Sequence, residues 1–167
     1  MVTVEHRRGL GAPPLELPEP ARDLDEDVAL RALRDTDVNF IYASWTNVHR
    51  GGRGFERMET HAYFDYVRSL IRDILARRGA QMVIACDPER PDIIRGWLCF
   101  ERAHVPVLHY LLVKREHQRR GIGRALVAAS RATGDCIYTF SHRRADRFVA
   151  ATLPGGVYIP IAKYLKP

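Results

Sequence analysis

The segment Gln118-Arg119-Arg120-Gly121-Ile122-Gly123-Arg124-Ala125-Leu126 holds residues whose types and spacing suit phosphate chemistry, and it is entered directly from the apolar run Val107-Leu108-His109-Tyr110-Leu111-Leu112-Val113. Two glycines permit backbone geometries and close approaches that other residues resist. The helix expected to follow, from Gly121 to Ala132, starts with amides that have no partner inside the helix and that attract an anion. Strand, basic glycine turn and helix together predict a pyrophosphate site. Two familiar phosphate motifs fail on residues. A dinucleotide fingerprint wants glycine at position 126, which is Leu, and a P-loop wants Gly-Lys-Ser/Thr where Gly121 is followed by Ile122-Gly123.

The pattern Gln/Arg-x-x-Gly-x-Gly/Ala, met by Gln118 to Gly123 at every defined position, resembles the signature of the GCN5-related N-acetyltransferase (GNAT) superfamily. In that family the turn binds the pyrophosphate of acetyl-coenzyme A. The resemblance covers roughly residues 28–164. It implies that the fourth strand splays from the fifth, and that backbone groups of Leu111, Leu112 and Val113 hold the pantetheine arm. Gln118, Arg119, Arg120, Gly121, Ile122, Gly123 and Arg124 would then turn amides toward the phosphates, with an arginine near the 3′-phosphate. Arg119 stands where the family often has glycine and Arg115 where it often has proline; neither change removes an amide donor. The phrase Leu108 to Arg115 also resembles GNAT-like proteins encoded by bacteriophages.

Acetyl transfer needs a neutral amine, so a proton must leave the acceptor. His109, on the fourth strand, and Glu101, at the end of the third, are the candidates to take it. Alternation along the strand puts His109 on one face with Val107, Leu111 and Val113. In the family the departing thiolate is often protonated by a tyrosine in an Asn-x-x-Ala-x-x-x-Tyr pattern. Alignment on Ala145 places His142 and Val149 at its ends, so that acid is missing, and Phe148 beside it has no proton to give. Tyr138 and Tyr158 are the candidates to substitute.

These residues need a scaffold. Strands are expected over 28–33, 81–86, 93–101, 107–113, 136–140 and 157–164. Helices are expected after the cap Asp35-Thr36-Asp37, from about residue 56 or 60 to Arg78, over 121–132 and over 143–151. The order β-α-α-β-β-β-α-β-α-β is the arrangement the resemblance implies: a single α/β (α+β) domain over 28–167, with a mixed, mostly antiparallel sheet and helices on both faces. Residues 1–27, rich in Pro, Glu and Arg without a sustained period, read as an extended arm or a disordered tail. Arg50 to Gly54 reads as a loop that connects or lines a substrate groove.

At 167 residues the chain is the size of one ordinary domain. No apolar run approaches a membrane span and the N-terminus lacks the apolar stretch of a signal peptide, so the expected location is cytoplasmic. Cys86, Cys99 and Cys136 sit singly in apolar segments, which predicts buried free thiols and no metal. The net charge is +6, and arginine supplies all but three of the 26 basic residues. Most of these belong to a solvated mixed-charge surface, while Arg115, Arg119, Arg120 and Arg124 crowd the phosphate turn. The expected partners are acetyl-CoA as acyl donor and an amine acceptor, small molecule or protein, bound by a monomer or homodimer. A non-catalytic GNAT-fold module binding nucleic acid or protein, and a nucleobase-modifying enzyme, are the alternatives left open by the charge and the missing tyrosine.

Overall fold

The computed structural model of the chain describes residues 27–49, 58–132, 134–140 and 143–165. The arm expected over 1–27, save Asp27, the Arg50 to Gly54 loop and His142 lie outside them. Six strands stand in sequence order across one sheet. They are β1 (Ala29–Ala32), β2 (Ala80–Cys86), β3 (Ile94–Glu101), β4 (Val107–Val113), β5 (Ile137–Tyr138) and β6 (Val157–Tyr158). The first four pair antiparallel, and β4–β5 and β5–β6 pair parallel. The helices are α1 (Val38–His49), α2 (Thr60–Leu75), α3 (Ile122–Ala129), α4 (Arg143–Thr152) and α5 (Ile161–Tyr164).

The sheet carries a core on each face. Val83, Ala85, Leu98, Phe100 and Leu108 point to the side covered by Ile122, Leu126 and Val127 of α3 and by Val149 and Leu153. Met82, Ile84, Trp97, Cys99 and Tyr110 point to the side covered by Ile41 and Trp45 of α1 and by α2. The α2 side chains Tyr63, Val67, Leu70, Ile71 and Ile74 recur three and four residues apart, so one stripe is buried whole. Each such side chain contributes about 1.5–3 kcal/mol of apolar burial. Trp97 stacks on Tyr110 at 4.7 Å between ring centres, and Trp45 lies 5.0 Å from the same Tyr110, fastening α1 to the middle of the sheet. All three cysteines are buried free thiols.

Two expectations are corrected. The segment 157–164 is not a single strand: β6 stops at Tyr158, and Pro160 precedes α5. Proline fixes its own φ and offers no amide for a ladder, so the chain leaves the sheet there and coils. The second correction concerns alternation in β4. Cys99 pairs with Tyr110 and Phe100 with Leu108, so His109 is an extra residue with no partner on β3, a β-bulge. Leu108 faces the α3 core, yet Tyr110, two residues on, faces the α1/α2 core, while Leu111 and Val113 pack against the α3 core. His109 therefore does not share a face with Leu111 and Val113; the bulge turns it toward Glu101.

Candidate functional site

After β4 the chain makes a 3-10 turn over Arg115–His117 and extends at Gln118, whose side-chain Nε2 donates to the Val113 carbonyl at 3.1 Å. Arg119 then takes a φ of 64° and Gly121 a φ of 76°, both in the left-handed region. Alternation of this kind turns successive amides to one side and shapes an anion-binding concavity. Gly121 is the N-cap of α3, and no side chain caps that terminus. The helix ladder opens with the Ala125 amide donating to the Gly121 carbonyl at 3.0 Å, so the earlier amides, Ile122 to Arg124, precede the first intrahelical bond. Ile122, Ala125 and Leu126 are buried and root the helix in the core.

Of the basic side chains, Arg115, Arg119 and Arg124 are exposed. Arg120 is engaged: its guanidinium donates to both carboxylate oxygens of Asp27, at 3.0 and 3.1 Å. Asp27 also receives Arg95, a buried arginine of β3, at 2.7 Å, and the hydrogen bonds from Arg95 and then Arg120 hold its carboxyl below the ordinary range.

Beside this turn, β4 runs free along one edge. Its pairing with β5 is confined to Val107 with Ile137 and Leu108 with Tyr138. From Leu111 to Val113 the half-buried backbone has no further β5 partner among the described residues, the splay the resemblance implied. The bulge at His109 immediately follows the last β4–β5 pair, and its side chain is fully buried.

On the α1/α2 side of the bulge four polar side chains converge. Oε2 of Glu101 accepts from Arg77 Nε at 2.6 Å and from the Tyr164 hydroxyl at 2.9 Å. Burial acts to raise the Glu101 carboxyl, but these donors, Arg77 first, outweigh it and hold the group below the usual carboxylate range. His109 Nε2 lies 3.4 Å from the same Oε2, and that buried nitrogen has no hydrogen-bond partner among the described residues. The Thr139 hydroxyl donates to the His109 carbonyl at 3.3 Å, and its oxygen faces Nδ1 at 3.4 Å. With the ring proton on Nδ1, Nε2 is an acceptor; with it on Nε2, the proton faces Glu101 and Nδ1 is the acceptor toward Thr139. Burial pushes His109 down to about 4 against the pull of Glu101, so the ring is neutral near pH 7.

The structure thus brings His109 and Glu101 together. It places Tyr138 and Tyr158 elsewhere: their rings lie 5.5 Å apart, with Tyr138 packed on the α3 core and Tyr158 exposed. Val149 is buried in that same core, and Phe148 packs beside it against Gly123. Two residues of the cluster, Arg77 and Tyr164, escaped the sequence reading. A signal for Arg77 existed, since a hairpin that opens at Ala80 and closes at Glu101 carries residues just before Ala80 back to that carboxylate. Nothing local to Tyr164 points to Glu101, 63 residues away.

No curated protein matches this sequence. Among solved structures, a Pyrococcus furiosus protein assigned as an acetyl transferase aligns at 13% identity over 74% of this chain and 90% of its own, with a TM-score of 0.59. A Desulfovibrio desulfuricans protein assigned to the GNAT family aligns at 22% identity over 60% of this chain, which spans 61% of that protein's length, with a TM-score of 0.40. A Trypanosoma brucei acetyltransferase aligns at 15% identity over 75% of this chain and 90% of its own, with a TM-score of 0.41. The sequence profile of the Acetyltransferase (GNAT) family matches residues 38–141, which run from the first residue of α1 through the bulge and the glycine turn to just past β5. This chain belongs to the GNAT acetyltransferase family.

Proposed function

We propose that this protein transfers an acetyl group from acetyl-CoA to an amine by direct attack on the bound thioester. One observation carries the reading: an uncapped α3 terminus, framed by left-handed Arg119 and Gly121, opens beside the unpaired edge of β4. The amides of Ile122, Gly123 and Arg124 would face the pyrophosphate, with Arg119 and Arg124 free to neutralise it, and the backbone of Leu111 to Val113 would take the pantetheine arm. In the transfer step the amine nitrogen bonds to the thioester carbon, the carbon–sulfur bond breaks, and the nitrogen loses a proton.

His109 is the acceptor proposed for that proton. Its Nε2 is buried without a hydrogen-bond partner among the described residues, an arrangement that costs about 1–3 kcal/mol and calls for a compensating role, and in the Nδ1–H tautomer that nitrogen offers its lone pair. A ring with a pKa of about 4 cannot strip a free ammonium. It can take a proton from a nitrogen already bonding to carbon, since that nitrogen is far more acidic, and Glu101 then supplies the counter-charge. Tyr138 and Tyr158 remain the proposed donors to the thiolate; Tyr138 packs on the α3 core beside the end of the β4–β5 pairing, and Tyr158 pairs with it from β6. Isothermal titration of the full chain with acetyl-CoA tests the reading, and micromolar binding with thiol release upon amine addition is the expected result. Thermal stabilisation by duplex DNA and none by acetyl-CoA would replace the enzyme with a nucleic-acid module.

A further inference from the structure

The Glu101 carboxylate is used asymmetrically. Both of its hydrogen-bond donors among the described residues, Arg77 and Tyr164, land on Oε2, which has two lone pairs and is thereby filled. Oε1 accepts no hydrogen bond from the described residues, and the side chain keeps 12% of its surface exposed. Arg77 is itself fixed: its Nη2 donates to the Tyr164 hydroxyl at 3.3 Å and its guanidinium lies 4.9 Å from the centre of the Tyr164 ring. The same ring meets His109 edge to face at 5.4 Å. Three elements, the end of α2, the end of β3 and α5, therefore converge on one oxygen and leave its twin open.

We propose that Arg77 and Tyr164 are positioning residues that saturate Oε2 of Glu101 and so present Oε1, beside the bulge, as the anchor for the acceptor's ammonium group. This rests on the N-acetyltransferase reading, and it makes the acceptor a cation at the point of binding. Among the described residues a carboxylate is the only charge of the right sign in the cluster: the groups there that face His109 and Glu101 are Arg77, Tyr164, the Thr139 hydroxyl and the Cys99 thiol, which burial keeps protonated. The same donors that orient Glu101 hold it ionised, as an ammonium anchor requires, and weaken it as a base. The attacking nitrogen first releases one ammonium proton to solvent water, and His109 takes the second as the carbon–nitrogen bond forms and the carbon–sulfur bond breaks.

The test is nuclear magnetic resonance on the full chain, following the carboxyl carbon of Glu101 and the ring of His109, assigned with Glu101→Gln and His109→Gln. Methylammonium chloride serves as the probe. In the wild type it shifts the Glu101 resonance saturably, and more strongly than tetramethylammonium, which has no N–H to give. In Tyr164→Phe, which keeps the ring and loses one donor, the affinity falls about threefold or more and the Glu101 titration midpoint rises. Arg77→Gln raises the midpoints of both Glu101 and His109, by about one pH unit through loss of a nearby cation, and Arg77→Lys restores His109 but not the methylammonium affinity. Unchanged midpoints and affinity in folded Tyr164→Phe and Arg77→Gln overturn the assignment. Failure of acetyl-CoA to bind by calorimetry would sink the transferase reading separately, whatever the carboxylate does.

Discussion

Gly123 and Phe148 are in contact across the first turn of α3: a Cβ added at Gly123 would come within 3.1 Å of Phe148 Cε2 and 3.2 Å of its Cζ. The Phe148 ring of α4, next to the Val149 that stands at the family's tyrosine position, thus seats against the start of α3 at the glycine turn. Gly123→Val inserts a branched side chain into that contact and costs roughly 1–3 kcal/mol of stability by overpacking. Acetyl-CoA binding is lost with it. Adding Phe148→Ala relieves the clash and recovers the urea midpoint, while calorimetry with acetyl-CoA shows no recovery, because the valine still blocks the backbone approach. Recovered affinity in the double variant would show that Gly123 serves packing alone.

Arg119 holds a φ of 64° without being glycine. A left-handed residue with a Cβ costs about 1–2 kcal/mol, of which a glycine gives back part through its freer unfolded chain. Arg119→Gly is therefore neutral or stabilising by up to about 1 kcal/mol in urea unfolding, whereas Arg119→Val, β-branched in the same conformation, destabilises by about 1–2 kcal/mol. A stabilised valine variant would mean that the turn does not hold this geometry.

His109 links stability to pH. Its folded pKa of about 4 lies below its ordinary 6.5, so the unfolded chain binds the proton more readily. The contribution is fully present above pH 6.5 and is lost as pH falls toward 4, on the order of 3–3.5 kcal/mol at most. His109→Gln flattens the stability curve across that window. Chemical denaturation at half-unit intervals between pH 4 and 7.5 measures the slope; identical slopes in the two proteins would place the protonation elsewhere.

Asp27 occupies Arg120 with both of its oxygens and so competes with any phosphate for that guanidinium. Asp27→Asn removes that competing carboxylate charge, while Arg95 keeps Asp87 at 2.8 Å. The expected outcome is a severalfold gain in acetyl-CoA affinity at low salt that fades as ionic strength rises. The same gain in an Asp27→Asn, Arg120→Gln double variant would show that Arg120 is not involved.

Much of this protein was legible locally. The glycine turn, the free start of α3 and the apolar strand before it depend on residues within a few positions of one another, and their spacing carries over directly into backbone geometry. The stripe on α2 and the β2–β3 hairpin likewise follow from short-range periodicity and from Asp87, whose Oδ1 accepts the amides of Glu89 and Arg90 at 3.0 Å each. Tertiary structure decided where His109 points. Strict alternation sends it to the α3 face with Leu111 and Val113, and only the mismatch between β3 and β4, one residue too many between Leu108 and Tyr110, turns it to Glu101. Tyr164 was hidden for a related reason. Its apolar neighbours suit a strand, and only the break at Pro160 and the packing of Ile161 and Leu165 on the α1/α2 core coil the chain and carry a hydroxyl to a carboxylate. Periodicity reports the face of a regular element; it is silent on bulges and on contacts between residues dozens of positions apart, which form only when whole elements pack.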